Sequence, residues 1–132
     1  MNAKFRPADR WVQALAIAAG LALLVIGVRF FAVPHQAARF FGLATPPGQF
    51  DLHYVVALRD LWLALMLIGL AALREWRALS LSLGLGALVC FADAAIVASS
   101  SGRGSAIAFH VASGIYCATL AYASHSRSRN SH

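Results

Sequence analysis

Charged residues are scarce in this chain of 132: Asp, Glu, Lys and Arg together make 12%, and only five of them are acidic. Hydrophobic residues make 60%, and the mean hydropathy is +0.68. A soluble domain of this length cannot hide so much apolar surface. The shortage of charge therefore excludes an ordinary water-soluble globule. It leaves one small integral membrane domain over residues 1–132, with lipid as its solvent. Cysteine is scarce too. Cys90 and Cys117 are too few for a disulfide framework and lack the spacing of metal ligands. Inside apolar stretches such thiols act mostly as small hydrophobes, even where two face each other. No metal and no organic cofactor is expected. An internal repeat is also lacking, as is a basic patch with interleaved aromatics. The net charge of +6 thus does not mark a nucleic-acid binder.

What the chain has instead is four apolar stretches: Trp11 to Phe31, Tyr54 to Leu73, Leu79 to Ala98 and Ala106 to Ala123. Each is near the roughly 20 residues that cross a bilayer as a helix. Backbone amides in lipid must find partners within their own segment, so helix is the expected form. The fold class is all-α, a four-helix transmembrane bundle running up-down-up-down. The first stretch exceeds the roughly 7–15 residues of a signal-peptide core, and no small-residue cleavage site follows it, so it reads as a retained helix. Trp11, Tyr54, Trp76, Tyr116 and Tyr122 are partly placed as interface anchors. Ala16, Gly20, Gly27, Gly84, Gly86 and Gly114 are small residues of the kind that let membrane helices approach closely.

Basic residues flank the spans. Lys4, Arg6 and Arg10 precede the first, Arg74 and Arg77 lie in the second connection, and Arg127 and Arg129 follow the fourth. The positive-inside rule then puts both termini in the cytoplasm. The first connection, Ala32 to His53, is long. Pro34 opens a short helix and Gly42 closes it. Apolar Ala37, Ala38, Phe40 and Phe41 against polar His35, Gln36 and Arg39 suit a helix lying in the interface. Thr45-Pro46-Pro47-Gly48 reads as a rigid turn. The loop is either a plain connector or a lid. The second connection, Arg74 to Ala78, is minimal and makes its two helices antiparallel neighbours. The third, Ser99 to Ser105, is rich in Ser and Gly, and residues 125–132 read as a disordered tail.

Five ionisable residues lie inside the apolar stretches: Arg29, Arg59, Asp60, Asp93 and His110. At 1.5 Å per residue, Arg59 and Asp60 sit roughly 8–9 Å in from Tyr54, and His110 about 6 Å in from Ala106. Asp93 lies five residues before Ala98, and Arg29 two residues before the end of the first stretch. Alternating helix direction brings all five to one layer, toward the outer face. Each has a plainer reading on its own: Arg29 snorkels to the headgroups, the aspartates form structural ion pairs, His110 is a satisfied core histidine. Together they point to a site, because buried ion pairs add little stability once desolvation is counted and ionisable groups are costly in lipid.

Neighbouring residues on a helix point about 100° apart, so Arg59 is expected to reach Asp93 or a ligand anion rather than Asp60. Asp60 is then expected to face Arg29 or His110. Burial favours the neutral form of a carboxyl and a nearby guanidinium favours the charged form. Two carboxyls with unequal partners therefore suit one acid and one base. Asp60, Asp93 and His110 are the candidate catalytic groups, and Arg29 and Arg59 orient carboxylates or bind an oxyanion. Trp62 and Met66 share a helical face with Arg59, and Phe91, Phe109 and Tyr116 add an apolar wall. Such a pocket suits a lipophilic small molecule with one reactive polar centre. By chemical analogy alone, the Asp-Arg-Asp set resembles the water-activating group of limonene-type epoxide hydrolases, whose fold is unrelated.

Gly27-x-Arg29, Pro34, Phe41-Gly42, Arg59-Asp60, Asp93 and His110 together give the chain a resemblance over nearly its whole length. It resembles a family of small four-span membrane proteins of bacteria and fungi known only as a domain of unknown function. The resemblance implies a four-helix membrane architecture and no activity.

Three functions fit this reading. The first is a cofactor-independent acid–base enzyme (a hydrolase, an epoxide-opening cyclase or an isomerase) acting on a lipophile. The second is a proton-coupled transporter or lipophile-binding protein. Four short helices resemble the small multidrug exporters, which assemble as dimers, so a homo-oligomer is among the expected partners beside membrane lipid. Those exporters carry an acidic residue in the first span, where this chain has Arg29. The third is an accessory subunit whose ion network is structural, with tight pairing and no cavity.

Overall fold

The computed structural model describes residues 7–43 and 50–129. Lys4, Arg6, the Thr45–Gly48 turn and residues 130–132 lie outside the described residues. Five helices follow one another: α1 (Pro7–Ala32), α2 (Pro34–Phe41), α3 (Asp51–Leu73), α4 (Trp76–Ser100) and α5 (Gly104–Arg129). Four of them, α1, α3, α4 and α5, are long and apolar enough to cross a membrane. The all-α, four-span architecture read from hydropathy is the observed one. The helices overrun the apolar stretches at most ends, because the helical hydrogen-bond ladder continues after hydropathy falls. The largest overrun corrects the expected tail: residues 125–129 are helix, not disordered. Ser124 and Ser128 are buried there, and Arg127 Nε donates to Asp9 Oδ1 at 3.1 Å, tying the end of α5 to the start of α1.

The helices assemble as two tight pairs. α1 packs along α3 and α4 along α5, whereas α3 meets α4, and α1 meets α5, at few points. Small residues explain the tight pairing. A Cβ at Gly27 would lie 3.1 Å from the Leu61 amide nitrogen and 3.2 Å from the Ala57 carbonyl. α3 answers with Ala57, Ala64 and Ala71, all fully buried at seven-residue spacing. Two helical turns nearly restore the same face, so these methyls line one seam against α1. Across α4 and α5, the Phe91 ring would lie 2.9 Å from a Cβ at Gly114, and Ser80 Oγ donates to the Ala121 carbonyl at 2.9 Å. Gly84 and Gly86 differ from expectation: nothing lies within 4 Å of a Cβ at either, so they mark no helix contact among the described residues.

α3 and α4 are joined by Arg74 and Glu75 alone. Arg74 takes a left-handed conformation, φ 60°, and its amide donates to the Ala71 carbonyl at 3.2 Å. At the opposite end α2 crosses over the bundle. It starts at Pro34 and stops at Gly42 as the sequence indicated. Gly42 sits at φ +99°, and the amides of Gly42 and Leu43 donate to the Ala38 carbonyl at 3.0 and 2.9 Å. A glycine is needed twice over here, since a Cβ would also lie 2.7 Å from Val97 Cγ1 and 2.8 Å from Ala106 Cβ. α2 therefore touches both pairs: Ala37 and Ala38 bury against Phe30 and Ala57, while Gly42 seats on α4 and α5.

Candidate functional site

Asp60, only 2% exposed, enters the interior from α3. Arg59 Nε donates to Asp60 Oδ1 at 3.1 Å. The expectation that these neighbours diverge is therefore corrected. Helical phase treats side chains as radial spokes, but the long arginine stem bends back along the helix surface. The Arg59 side chain is 44% exposed and that of Asp60 3%, so the pair crosses from the interior to the rim.

Asp93, on α4, is half-buried. Arg59, Asp60 and His110 belong to its electrostatic surroundings, with no ion pair to its carboxyl among the described residues. His110, 4% exposed, comes in from α5, and its Nε2 is 3.1 Å from the Phe41 carbonyl oxygen. A carbonyl only accepts, so Nε2 is the protonated nitrogen and donates. α3 thus carries the Arg59–Asp60 pair, α4 carries Asp93, and α5 carries His110 bonded to the end of α2.

The other predicted site residues go elsewhere. Arg29 does not face Asp60; it is exposed, with its guanidinium carbon 5.4 Å from the Phe40 ring centroid. Phe91 packs on Gly114, and Phe109 meets Phe40 edge-on at 5.5 Å. Tyr116 OH donates to the Leu15 carbonyl at 2.9 Å, bridging α5 to α1. These three rings take part in contacts between helices. Trp62 is 63% exposed, and Met66 is half-buried on the face of Arg59.

The α3–α4 seam is sparsely packed. Arg59 and Met66 lie seven residues apart on α3, and Asp93 and Gly86 seven apart on α4, a spacing that nearly restores one helix face. Nothing packs on Gly86, and α3 and α4 touch sparsely. One residue escaped the sequence reading. His53 is 5% exposed, lies between the rings of Phe30 (6.1 Å) and Phe50 (6.0 Å), and its Nδ1 has no hydrogen-bond partner among the described residues. It occupies the face of Asp60, two turns toward the helix start. The buried series 53, 57, 60, 64, 67, 71 was the signal, hidden because the apolar stretch was begun at Tyr54. Among the described residues no cluster of three or more His, Cys, Asp and Glu side chains is arranged to hold a metal ion. Cys90 on α4 and Cys117 on α5 are free thiols.

No curated protein and no solved structure matches the chain. A family described as a domain of unknown function (DUF4267) matches residues 20–124, a stretch that includes α2, α3 and α4 entire and every residue of the cluster. By that match over most of its length, the chain belongs to this family of unknown function.

Proposed function

We propose that this protein is a small integral membrane enzyme that applies acid–base chemistry to a lipophilic small molecule, by hydrolysis, epoxide opening with cyclisation, or isomerisation. The reading is supported by the burial of Asp60 and His110 inside apolar spans, with Arg59 Nε 3.1 Å from Asp60 Oδ1 and the half-buried Asp93 on the neighbouring span α4. Groups so costly to bury in lipid cluster where they are used.

Asp93 is the carboxyl that meets substrate, since it is half-buried beside the sparsely packed seam while Asp60 is enclosed. It donates a proton to an epoxide oxygen or alkene carbon, or takes one from water. Asp60, held by Arg59, is its counterpart of opposite protonation duty. His110 spends Nε2 on the Phe41 carbonyl, which leaves Nδ1 to exchange a proton. The substrate enters sideways from lipid, past Met66 and the exposed Trp62, because that seam is sparsely packed. Arg10, Arg74, Arg77, Arg127 and Arg129 gather at the end with the termini. The positive-inside rule then sets that end in the cytoplasm and the cluster toward the outer face.

The two-pair construction favours one alternative, proton-coupled transport. Helix pairs that touch sparsely can rock against each other, with Asp60 and Asp93 carrying the proton at the seam. Proteoliposomes loaded with a mixed lipophile extract separate the two. Chemical conversion supports the enzyme, and passage of unaltered compounds driven by a pH gradient supports the carrier.

A further inference from the structure

The bundle is held differently at its two ends. In the half with the termini, one buried core draws on all four spans: Ala16 of α1, Leu67 and Ala71 of α3, Leu79 and Leu83 of α4, and Leu120 of α5. Polar bonds also cross between the two helix pairs, from Arg127 to Asp9 at that end and from Tyr116 OH to the Leu15 carbonyl nearer the middle. The short turn of Arg74 and Glu75 closes the same end. In the opposite half the buried core is Phe30, Ala37, Ala38 and Ala57, from α1, α2 and α3 alone.

Among the described residues, the polar and ring contacts that join α4–α5 to α1–α3 in that half all run through α2. Arg103 Nη1 donates to the Arg39 carbonyl at 2.7 Å, and His110 Nε2 to the Phe41 carbonyl at 3.1 Å. Phe109 meets Phe40 edge-on, and Gly42 seats against Val97 and Ala106. The last carbonyls of a helix lack partners within it, so side chains at the start of α5 cap α2. With eight residues α2 is too short to be stable alone, so its seat depends on its neighbours. It belongs more firmly to the α1–α3 side. Only Val33 separates it from α1, and Ala37 and Ala38 bury with Phe30 and Ala57.

We propose that α2 is a strap: the two helix pairs hinge at the end with the termini, and release of α2 from α5 lets them part at the other end. Asp60, Asp93 and His110 all lie in the half that parts, so the motion widens the α3–α4 seam at their level. α4 has 25 residues, about 38 Å at 1.5 Å each, so a rotation of about 10° moves its far end by about 7 Å. The device needs no catalytic step and serves an enzyme or a carrier alike.

Electron–electron double resonance between spin labels tests it, in lipid vesicles and in a Cys90→Ser, Cys117→Ser background. Leu52→Cys with Ser99→Cys reads the strap end, and Trp11→Cys with Tyr122→Cys reads the hinge end; all four positions are exposed. Arg103→Ala with Phe109→Ala removes two strap contacts and touches none of Asp60, Asp93 and His110. At wild-type helicity, this variant is expected to gain a population about 7 Å longer at the strap end and to change by less than about 2 Å at the hinge end. Arg103→Ala alone, at an exposed position, is expected to show the same longer population at lower occupancy, which keeps the test readable should the double variant lose helicity. Arg103→Lys keeps a cationic donor for the Arg39 carbonyl and is expected to match the wild type. An unchanged strap-end distance in the helical Ala variants, or equal lengthening at both ends, overturns the proposal. The readout is a distance, so failure of the catalytic reading leaves this result standing.

Discussion

The Nε2 of His110 on α5 lies 3.1 Å from the carbonyl oxygen of Phe41 on α2, so the shortest helix of the bundle hangs on an imidazole of the candidate site. The ring also meets the Phe41 ring edge-on at 4.3 Å. The contact joins the end of α2 to α5 beside the packing of Ala37 and Ala38 on α1 and α3. The bond also fixes which ring nitrogen remains for chemistry.

His110→Ala is expected to free the Phe41 carbonyl and destabilise the protein by about 1–3 kcal/mol, the cost of a buried polar group left unmade. His110→Gln keeps an N–H near the position of Nε2 and is expected to hold α2 while abolishing proton exchange. Hydrogen exchange of the α2 amides checks both: fast exchange in the Ala variant, near wild-type protection in the Gln variant.

Gly42→Ala and Gly102→Ala form a matched pair. Both glycines have positive φ, +99° and +61°, but a Cβ at Gly42 meets Val97 and Ala106 while one at Gly102 meets nothing within 4 Å. Gly102→Ala is expected to cost only the left-handed backbone penalty, about 1–2 kcal/mol. Gly42→Ala adds overpacking of about 1–3 kcal/mol. Thermal unfolding in detergent should rank them in that order.

A second matched pair probes the α1–α3 seam. Gly27→Ala drives a methyl against the Leu61 amide and the Ala57 carbonyl, which are backbone and cannot rotate away. It is expected to cost about 1–3 kcal/mol. Gly84→Ala meets open space and is expected to be neutral or to stabilise by up to about 1 kcal/mol through helix propensity. Equal effects in an unfolding titration would contradict the two-pair packing.

The spans were legible because each apolar stretch is long and its composition leaves no other form. α2 was legible from its punctuation, Pro34 at one end and Gly42 at the other. What hydropathy could not give is packing. Residues 125–129 look like a tail because they are polar, yet the Arg127–Asp9 pair and two buried serines keep them helical. The layer of ionisable residues followed from alternating helix direction, and within it Arg59 pairs with Asp60 while His110 bonds to the end of α2. Arg29 joins neither contact, since depth fixes a layer and leaves azimuth open. The Arg59–Asp60 contact was missed because phase angles describe Cβ directions, not the reach of a guanidinium. The expected Gly84 contact is absent because sequence spacing says which residues share a face but not which neighbour that face meets.

A double-mutant cycle on Arg59 and Asp60 should give a coupling of about 1 kcal/mol. The arginine is 44% exposed, so the pair resembles a surface bridge more than a sealed one. A coupling above about 3 kcal/mol would mean the pair is sealed and structural.

Turnover tests the central claim most directly. Membranes carrying the wild type, Asp60→Asn or Asp93→Asn, matched for helicity and unfolding temperature, are incubated with a lipophile pool rich in epoxides and alkenes. Mass spectrometry then follows the pool. The account predicts conversion by the wild type and at least a hundredfold loss in both variants, the usual scale for removing a general acid or base. Conversion at the wild-type rate by both folded variants would contradict it.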